Sequence, residues 1–317
     1  MVPPNLRPKP VDYAFDLDRA LTSVVGVRAD VPDDAFTAGA LGVKRRGHGV
    51  VFGERGLVLT IGYLVLEAET VWLRTHDGRN VQGHPLAFDQ ETGFGLVQPL
   101  APLHLPALPL GDSSQLAVGA RVIVAGLGGK DNAVAGQVLA RQEFAGYWEY
   151  ALDAAMFIMP AHPDWGGAAV IDENGALAGI ASLQIEHGGE ETRDNINLAV
   201  PVDILKPRLD DLVRYGRVQA PARPWLGIYV AEVGDRLVVA GLAERGPASG
   251  ADIESGDLLI AVNGERPRNL AEAWRKIWAL GPAGVVAPLL IERDGRIFEV
   301  KIKSADRLQF MRAPLLH

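Results

Sequence analysis

Gly49-Val50-Val51-Phe52-Gly53-Glu54-Arg55-Gly56-Leu57-Val58-Leu59-Thr60-Ile61-Gly62-Tyr63-Leu64-Val65 is the stretch that sets the fold class. Two short runs of apolar, largely β-branched residues flank Gly53-Glu54-Arg55, which reads as a β-hairpin closed by a short loop. The pattern repeats outward. Val71-Trp72-Leu73-Arg74-Thr75 alternates and runs into His76-Asp77-Gly78-Arg79, where Asp-Gly tolerates the positive φ of a tight turn. Gly95-Leu96-Val97, Val122-Ile123-Val124-Ala125 and Val170-Ile171 read as buried strands, and Asp172-Glu173-Asn174-Gly175 turns the last of them back into Leu177-Ala178-Gly179-Ile180-Ala181. Many short strands with closely spaced turns predict a mainly β fold, a sandwich or a barrel.

The chain has 317 residues, enough for two or three domains. Its 48% hydrophobic and 22% charged content is that of an ordinary globular protein, and 36 glycines with 21 prolines fit a turn-rich β architecture. The net charge of −8 argues against a nucleic-acid partner, since phosphates need a basic surface. Lys44-Arg45-Arg46 is a local basic strip that reads as a solvated strand edge. With no cysteine, disulfides and thiolate chemistry are excluded. His48, His76, His84, His104 and His162 show no metal-ligand spacing, so no metal and no cofactor are expected. No apolar run approaches the ~18 residues of a membrane span. The N-terminus lacks a signal-peptide core. It predicts a cytoplasmic protein if Met1 is the native start, and a periplasmic one if a signal peptide has been removed.

Residues 1–22 read as a proline-rich arm with a short amphipathic helix over 11–25. Residues 23–216 hold the strands and a closing helix over 203–215, in which Ile204, Leu205, Leu209, Leu212 and Val213 keep a helical period. Residues 217–224 are a stiff, proline-containing linker. Residues 225–305 form a further domain with a helix over 270–280 that places Leu270, Trp274 and Ile277 on one face, and with hairpin turns at Asn263-Gly264 and Asp294-Gly295. Residues 306–317 are a tail.

Three blocks, Leu59–Val65, Asp89–Val97 and Pro163-Asp164-Trp165-Gly166-Gly167, resemble the histidine, aspartate and serine blocks of the HtrA/DegP family of trypsin-like proteases with PDZ domains. Ala107-Leu108-Pro109-Leu110-Gly111-Asp112-Ser113 followed by Leu116-Ala117-Val118-Gly119 resembles a further family block. Trp225-Leu226-Gly227-Ile228, Gly246-Pro247-Ala248 and Ser255-Gly256-Asp257-Leu258-Leu259 resemble a bacterial PDZ domain. The resemblance implies a trypsin-like double six-stranded β-barrel followed by a PDZ domain. It places Tyr63 where the base stands, Gly93 where the orienting aspartate stands, and Trp165 where the nucleophilic serine stands. Tyr63 and Gly93 are 30 positions apart and Gly93 and Trp165 are 72 apart, close to the family's separations. Asp153-Ala154-Ala155 is followed by about four extra residues before the serine block, so the loop around the first specificity pocket is expected to be reshaped.

A phenol with a pKa near ~10 holds its proton at neutral pH. Glycine has no side chain, and an indole offers only an N–H donor. The resemblance also assigns one oxyanion donor to position 163, where proline has no N–H. Read this way, the catalytic set is absent, and the chain is expected not to be an enzyme but a pseudoprotease that binds proteins as a scaffold, chaperone-like or regulatory subunit. Residual serine endopeptidase activity is the alternative; Ser182 is a conceivable nucleophile without a base partner in any motif. Tyr63 and Trp165 either fill a disused cleft or form a recognition surface. The N–H groups of Leu226, Gly227 and Ile228 are expected to capture the carboxylate of a protein or peptide partner, such as an apolar C-terminus, beside a helix wall of Leu270, Trp274 and Ile277. The other reading has that groove filled by the chain's own protease domain or tail. Tyr13 and Phe15 are the candidates for assembly into a homo-trimer, or a mixed assembly with a paralogue, and otherwise cap a barrel.

Overall fold

The computed structural model describes residues 2–188 and 194–313. The first six strands, β1 (Val24–Asp30), β2 (Lys44–Phe52), β3 (Leu57–Ile61), β4 (Thr70–Arg74), β5 (Asn80–Phe88) and β6 (Phe94–Pro99), some alternating in burial and some buried throughout, form a closed barrel of order β1-β2-β3-β6-β5-β4. Val50, Val58, Leu59, Val71, Leu73, Leu96 and Val97 are buried in it. The next six, β7 (Arg121–Ala125), β8 (Ala133–Gly146), β9 (Tyr150–Met159), β10 (Ala169–Ile171), β11 (Leu177–His187) and β12 (Asp194–Pro201), close a second barrel of order β10-β11-β12-β9-β8-β7. Closure removes the free sheet edges that would otherwise invite pairing with other chains. The mainly β, trypsin-like double barrel expected from the sequence is the observed architecture.

The remaining strands, β13 (Ile228–Val233), β14 (Arg236–Leu242), β15 (Leu258–Val262), β16 (Val286–Arg293) and β17 (Arg296–Lys303), form one antiparallel five-stranded sheet in sequence order. The helices are short: α1 (Leu17–Leu21), α2 (Ala38–Leu41), α3 (Leu209–Tyr215) and α4 (Leu270–Trp278). Asn269 caps α4 by accepting the Glu272 N–H, and the helix buries Leu270, Trp274 and Ile277 in the core of this sheet. The chain divides into two compact units. Among the described residues, one holds those up to Gln142, Ala154–Gln219 and Ala313; the other holds Glu143–Asp153 and Ala220–Arg312. The division is therefore not linear: residues 143–153, inside the stretch read as barrel, cluster with the C-terminal unit. Residues 314–317, most of the apolar end of the expected tail, lie outside the described residues.

Three local readings are corrected. The helix expected over 11–25 is a 3-10 turn at Pro10–Asp12 and the five-residue α1, because Asp16 caps a new helix start and Val24 already belongs to a strand. The closing helix is broken into two 3-10 turns before α3, because Pro207 has no N–H to continue it. Arg45 is not a solvated edge residue but is 4% exposed. Its guanidinium donates to the carbonyls of Gly42, Tyr63 and Leu66 and to the Thr37 hydroxyl, which in turn donates to Glu67 at 2.6 Å. The Glu67 carboxylate also accepts the N–H groups of Phe36 and Thr37. This network fixes the loop after β1 against the turn that carries Tyr63.

Two histidines hold the loop that carries Trp165. The His162 ring accepts the Asp164 N–H on Nδ1 at 3.0 Å, so Nε2 carries the proton and donates to the Asn132 carbonyl at 3.0 Å. Its backbone N–H donates to the buried Asn197 side chain at 2.6 Å. His48 Nδ1 accepts the Leu127 N–H, and its backbone N–H donates to the Gly166 carbonyl at 2.8 Å. Gly167 follows at φ +78°, where a Cβ would lie 2.0 Å from the His48 carbonyl oxygen, so no other residue fits there. Burial, with His162 alongside, pushes His48 down to about 4, and burial also lowers His162.

Two outcomes follow. Replacing Arg45 with Met removes a buried guanidinium that four oxygen acceptors surround and that faces the Glu67 carboxylate, and should cost about 3–5 kcal/mol of stability in urea unfolding followed by tryptophan fluorescence. For His48 the folded-state value lies below the ~6.5 of an exposed imidazole, so between those values the unfolded chain binds the proton more readily. The contribution of His48 is complete above about pH 6.5 and is lost as pH falls towards about 4, by up to about 3 kcal/mol. His48→Asn, which keeps an acceptor for Leu127 but does not titrate, should flatten that slope in unfolding measured at stepped pH.

Candidate functional site

The turn after β3 and the loops that end before β6 and β10 converge within the first unit. Tyr63 sits in a 3-10 turn at Gly62–Leu64, and its hydroxyl donates to the Ser182 carbonyl at 2.9 Å. Burial pushes the phenol above its ordinary range. The Gly62 N–H donates to the Gly93 carbonyl at 2.7 Å, and Gly93 adopts φ +81° to close a turn on the Asp89 carbonyl. That left-handed conformation is the local reason for glycine there. Asp89 is buried, accepts the Thr92 hydroxyl at 2.7 Å and pairs with Arg208, which also binds Glu91. A Cβ on Gly166 would lie 3.1 Å from the Tyr63 hydroxyl, so the backbone next to Trp165 adjoins Tyr63. The three positions singled out by resemblance are thus brought together in space.

What they offer is a phenol already engaged as donor, a backbone carbonyl and an indole. Trp165 is half-buried and packs on the core of the second barrel with Leu116, Val122 and Val138. Its carbonyl accepts the Ala168 N–H at 2.9 Å. Pro163 is exposed and brings no N–H, while the Asp164 N–H is turned to the His162 ring. Thr60 and Ser182 are the neighbouring buried hydroxyl residues, and the Thr60 hydroxyl donates to the His48 carbonyl. Among the described residues no group of three or more His, Asp or Glu could hold a metal ion.

In the second unit, the N–H groups of Leu226, Gly227 and Ile228 converge on one carboxylate, that of Glu149. Oε1 lies 3.2, 2.7 and 3.1 Å from the three nitrogens, and Oε2 lies 3.0 Å from that of Leu226. Burial pushes the Glu149 carboxyl up to about 7, against the pull of those N–H groups and of Arg307. The expected helix wall is not an open surface. Leu270, Trp274 and Ile277 are buried, and Trp274 Nε1 donates to the Gly146 carbonyl at 3.0 Å. Glu149 escaped the sequence reading, though a single acid within the aromatic run Phe144-Ala145-Gly146-Tyr147-Trp148-Glu149-Tyr150 was a signal. Tyr13 and Phe15 are half-buried on their own unit: Arg121 lies over the Tyr13 ring, and Phe15 lies where a side chain on Gly175 would extend.

Residues 47–180 match the trypsin-like peptidase domain. The chain is 24% identical over 322 residues to the serine endoprotease DegS of Salmonella typhimurium, covering 93% of this chain and 86% of that protein. It is 27% identical over 270 residues to a probable periplasmic serine endoprotease DegP-like of Pseudomonas putida, covering 79% of this chain and 53% of that one, so it spans about half the length of that relative. The solved HtrA-type protease AlgW with decapeptide shares its fold, with a TM-score of 0.55 at 18% identity over 94% of this chain and 98% of that one. No helix among the described residues is long and apolar enough to cross a membrane. The DegP-like relative is named periplasmic, and the cytoplasmic option finds no support in these matches. They also correct the expectation that the chain is not an enzyme: the curated relatives matching most of its length are named serine endoproteases. Residues 47–180 thus match a trypsin-like peptidase domain, and most of the chain is similar to the serine endoproteases DegS and DegP.

Proposed function

We propose that this protein acts on polypeptides as an HtrA-type homologue with residual serine endopeptidase activity, and that its C-terminal unit, read as a PDZ domain, captures the polypeptide. The convergence of the Leu226, Gly227 and Ile228 N–H groups on a single carboxylate carries the capture reading. Successive backbone donors of this kind form an anion cradle, and a strand next to it can accept an extended peptide as an added strand. The partner is then a protein with an apolar C-terminus or an exposed strand, and holding such chains would also serve a scaffold or chaperone-like role. A periplasmic setting is the one the relatives' names support.

The endopeptidase reading draws on those relatives, and the local chemistry limits its rate. An indole cannot attack a carbonyl, and the Tyr63 hydroxyl is a committed donor whose proton burial holds more tightly. Trypsin-like sites stripped of their triad still retain on the order of 10³–10⁴-fold acceleration over water through binding and oxyanion contacts. With proline at position 163 this chain should reach no more than that. Prolonged incubation of purified protein with unfolded fluorescein-labelled casein should therefore give slow cleavage, read by the mass of new peptides, and Ser182→Ala tests whether that hydroxyl takes part. Cleavage no faster than in buffer would remove the endopeptidase part of the reading and leave capture.

Assembly into a trimer, or with a paralogue, through the N-terminal arm is part of the same proposal. The Tyr13 and Phe15 rings pack 5.5 Å apart and are only partly buried, which leaves some of their surface to a neighbour. Tyr13→Ala combined with Phe15→Ala should lower the mass measured by light scattering from trimer to monomer. An unchanged mass would assign the two rings to barrel capping alone.

A further inference from the structure

The carboxylate in the cradle does not stand alone; the chain leading to it follows the course of a bound peptide. The Tyr147 carbonyl accepts the Val230 N–H at 3.0 Å, two residues along β13 from Ile228. The Gly146 carbonyl accepts the Trp274 Nε1–H from α4. Residues 146–149 therefore pass between β13 and α4 and end on a carboxylate held by three backbone donors. At Glu149 the main chain takes φ +59°, a left-handed conformation that costs a residue other than glycine on the order of 1 kcal/mol or more. That turn sends the backbone away into β9 and leaves only the side chain in the cradle.

The segment is also clamped at both ends. Arg275 of α4 binds Glu143 at 2.5 Å and Asp153 at 2.6 Å. Tyr147 meets Tyr229 edge to face at 5.8 Å, and Trp148 stacks on Tyr150. These ion pairs are largely exposed, where such pairs contribute little, and Tyr147 need only slide from Tyr229, since the Trp148–Tyr150 stack lies within the segment. By contrast, the buried donors of Leu226, Gly227, Ile228, Val230 and Trp274 cannot be left empty without cost. A peptide ending in a free carboxylate would satisfy every one of them in turn.

We infer that residues 143–153 are a built-in ligand mimic, with the Glu149 side chain occupying the place of a polypeptide's terminal carboxylate, so that the second unit captures a partner only by displacing its own segment. This rests on the capture reading above and adds competition to it. An internal competitor lowers apparent affinity by the fraction of molecules in which the cradle is free.

The test uses the full chain and a fluorescent hexapeptide with an apolar C-terminal residue, made as free acid and as amide. Anisotropy should show weak binding of the acid to wild type and binding at least about tenfold tighter to Glu149→Ala, with the amide bound by neither. In thermal unfolding, the acid should raise the Tm of Glu149→Ala, whose donors it refills, far more than that of wild type. Should Glu149→Ala fail to fold, Arg275→Ala frees the ends of the segment with the carboxylate intact and should also tighten binding of the acid. If wild type binds the acid as tightly as the variants, the mimic is refuted and the capture reading stands. If acid and amide bind alike, the carboxylate cradle is refuted as the site. If no form binds the acid, both readings fall.

Discussion

Arg45 makes contact with three carbonyls and a hydroxyl while buried in the first barrel, and most of the functional geometry depends on contacts of this kind. A loop that leaves a strand ladder inside a protein carries backbone donors and acceptors with no partner strand. Here three such regions are answered by one or two side chains each. Arg45 and Glu67 answer the segments around Phe36 and Tyr63, His162 and Asn197 answer the segment before Trp165, and Glu149 answers the segment at Leu226–Ile228. The strands set the positions of the loops, and these few polar side chains set their shape.

Tyr63, Gly93 and Trp165 have local jobs of the same kind. Gly93 supplies a left-handed turn and a carbonyl for Gly62, Tyr63 ties the first barrel's turn to the Ser182 carbonyl of the second, and Trp165 covers the second barrel's core. The surroundings preserve a trypsin-like peptidase architecture in which those positions still adjoin one another. The likeness to serine endoproteases and the local chemistry thus pull on the functional reading from opposite sides, and the slow hydrolysis proposed above is where the two meet.

The strands and their turns were legible because their signals are local. Alternation across Val71–Thr75 and the turn residues at Asp294-Gly295, which take φ +51° and +76°, follow from the residues themselves. Helix lengths were less legible, since Pro207 and the Asp16 cap cut periodic runs that otherwise look continuous. Positions 63, 93 and 165 could be placed by block resemblance because the spacing between blocks is kept. Arg45 and Glu149 could not be placed. Most of their partners lie on other segments, and a charged residue looks the same in one dimension whether it faces water or a ring of backbone groups. The enzyme class was also misjudged from three side chains, because residue chemistry at named positions is weaker ground than relatedness over most of the chain.

The discontinuous make-up of the C-terminal unit has a topological result. Because Glu143–Asp153 arrives from the middle of the barrel sequence, the unit is completed by a piece of chain translated well before the rest of it. A fragment beginning after the proline-containing linker would carry the five strands and α4 but would lack the residue that neutralises the Leu226–Ile228 cradle. A proteolytic nick in that linker would sever the covalent thread yet leave two chains that still share one folded body.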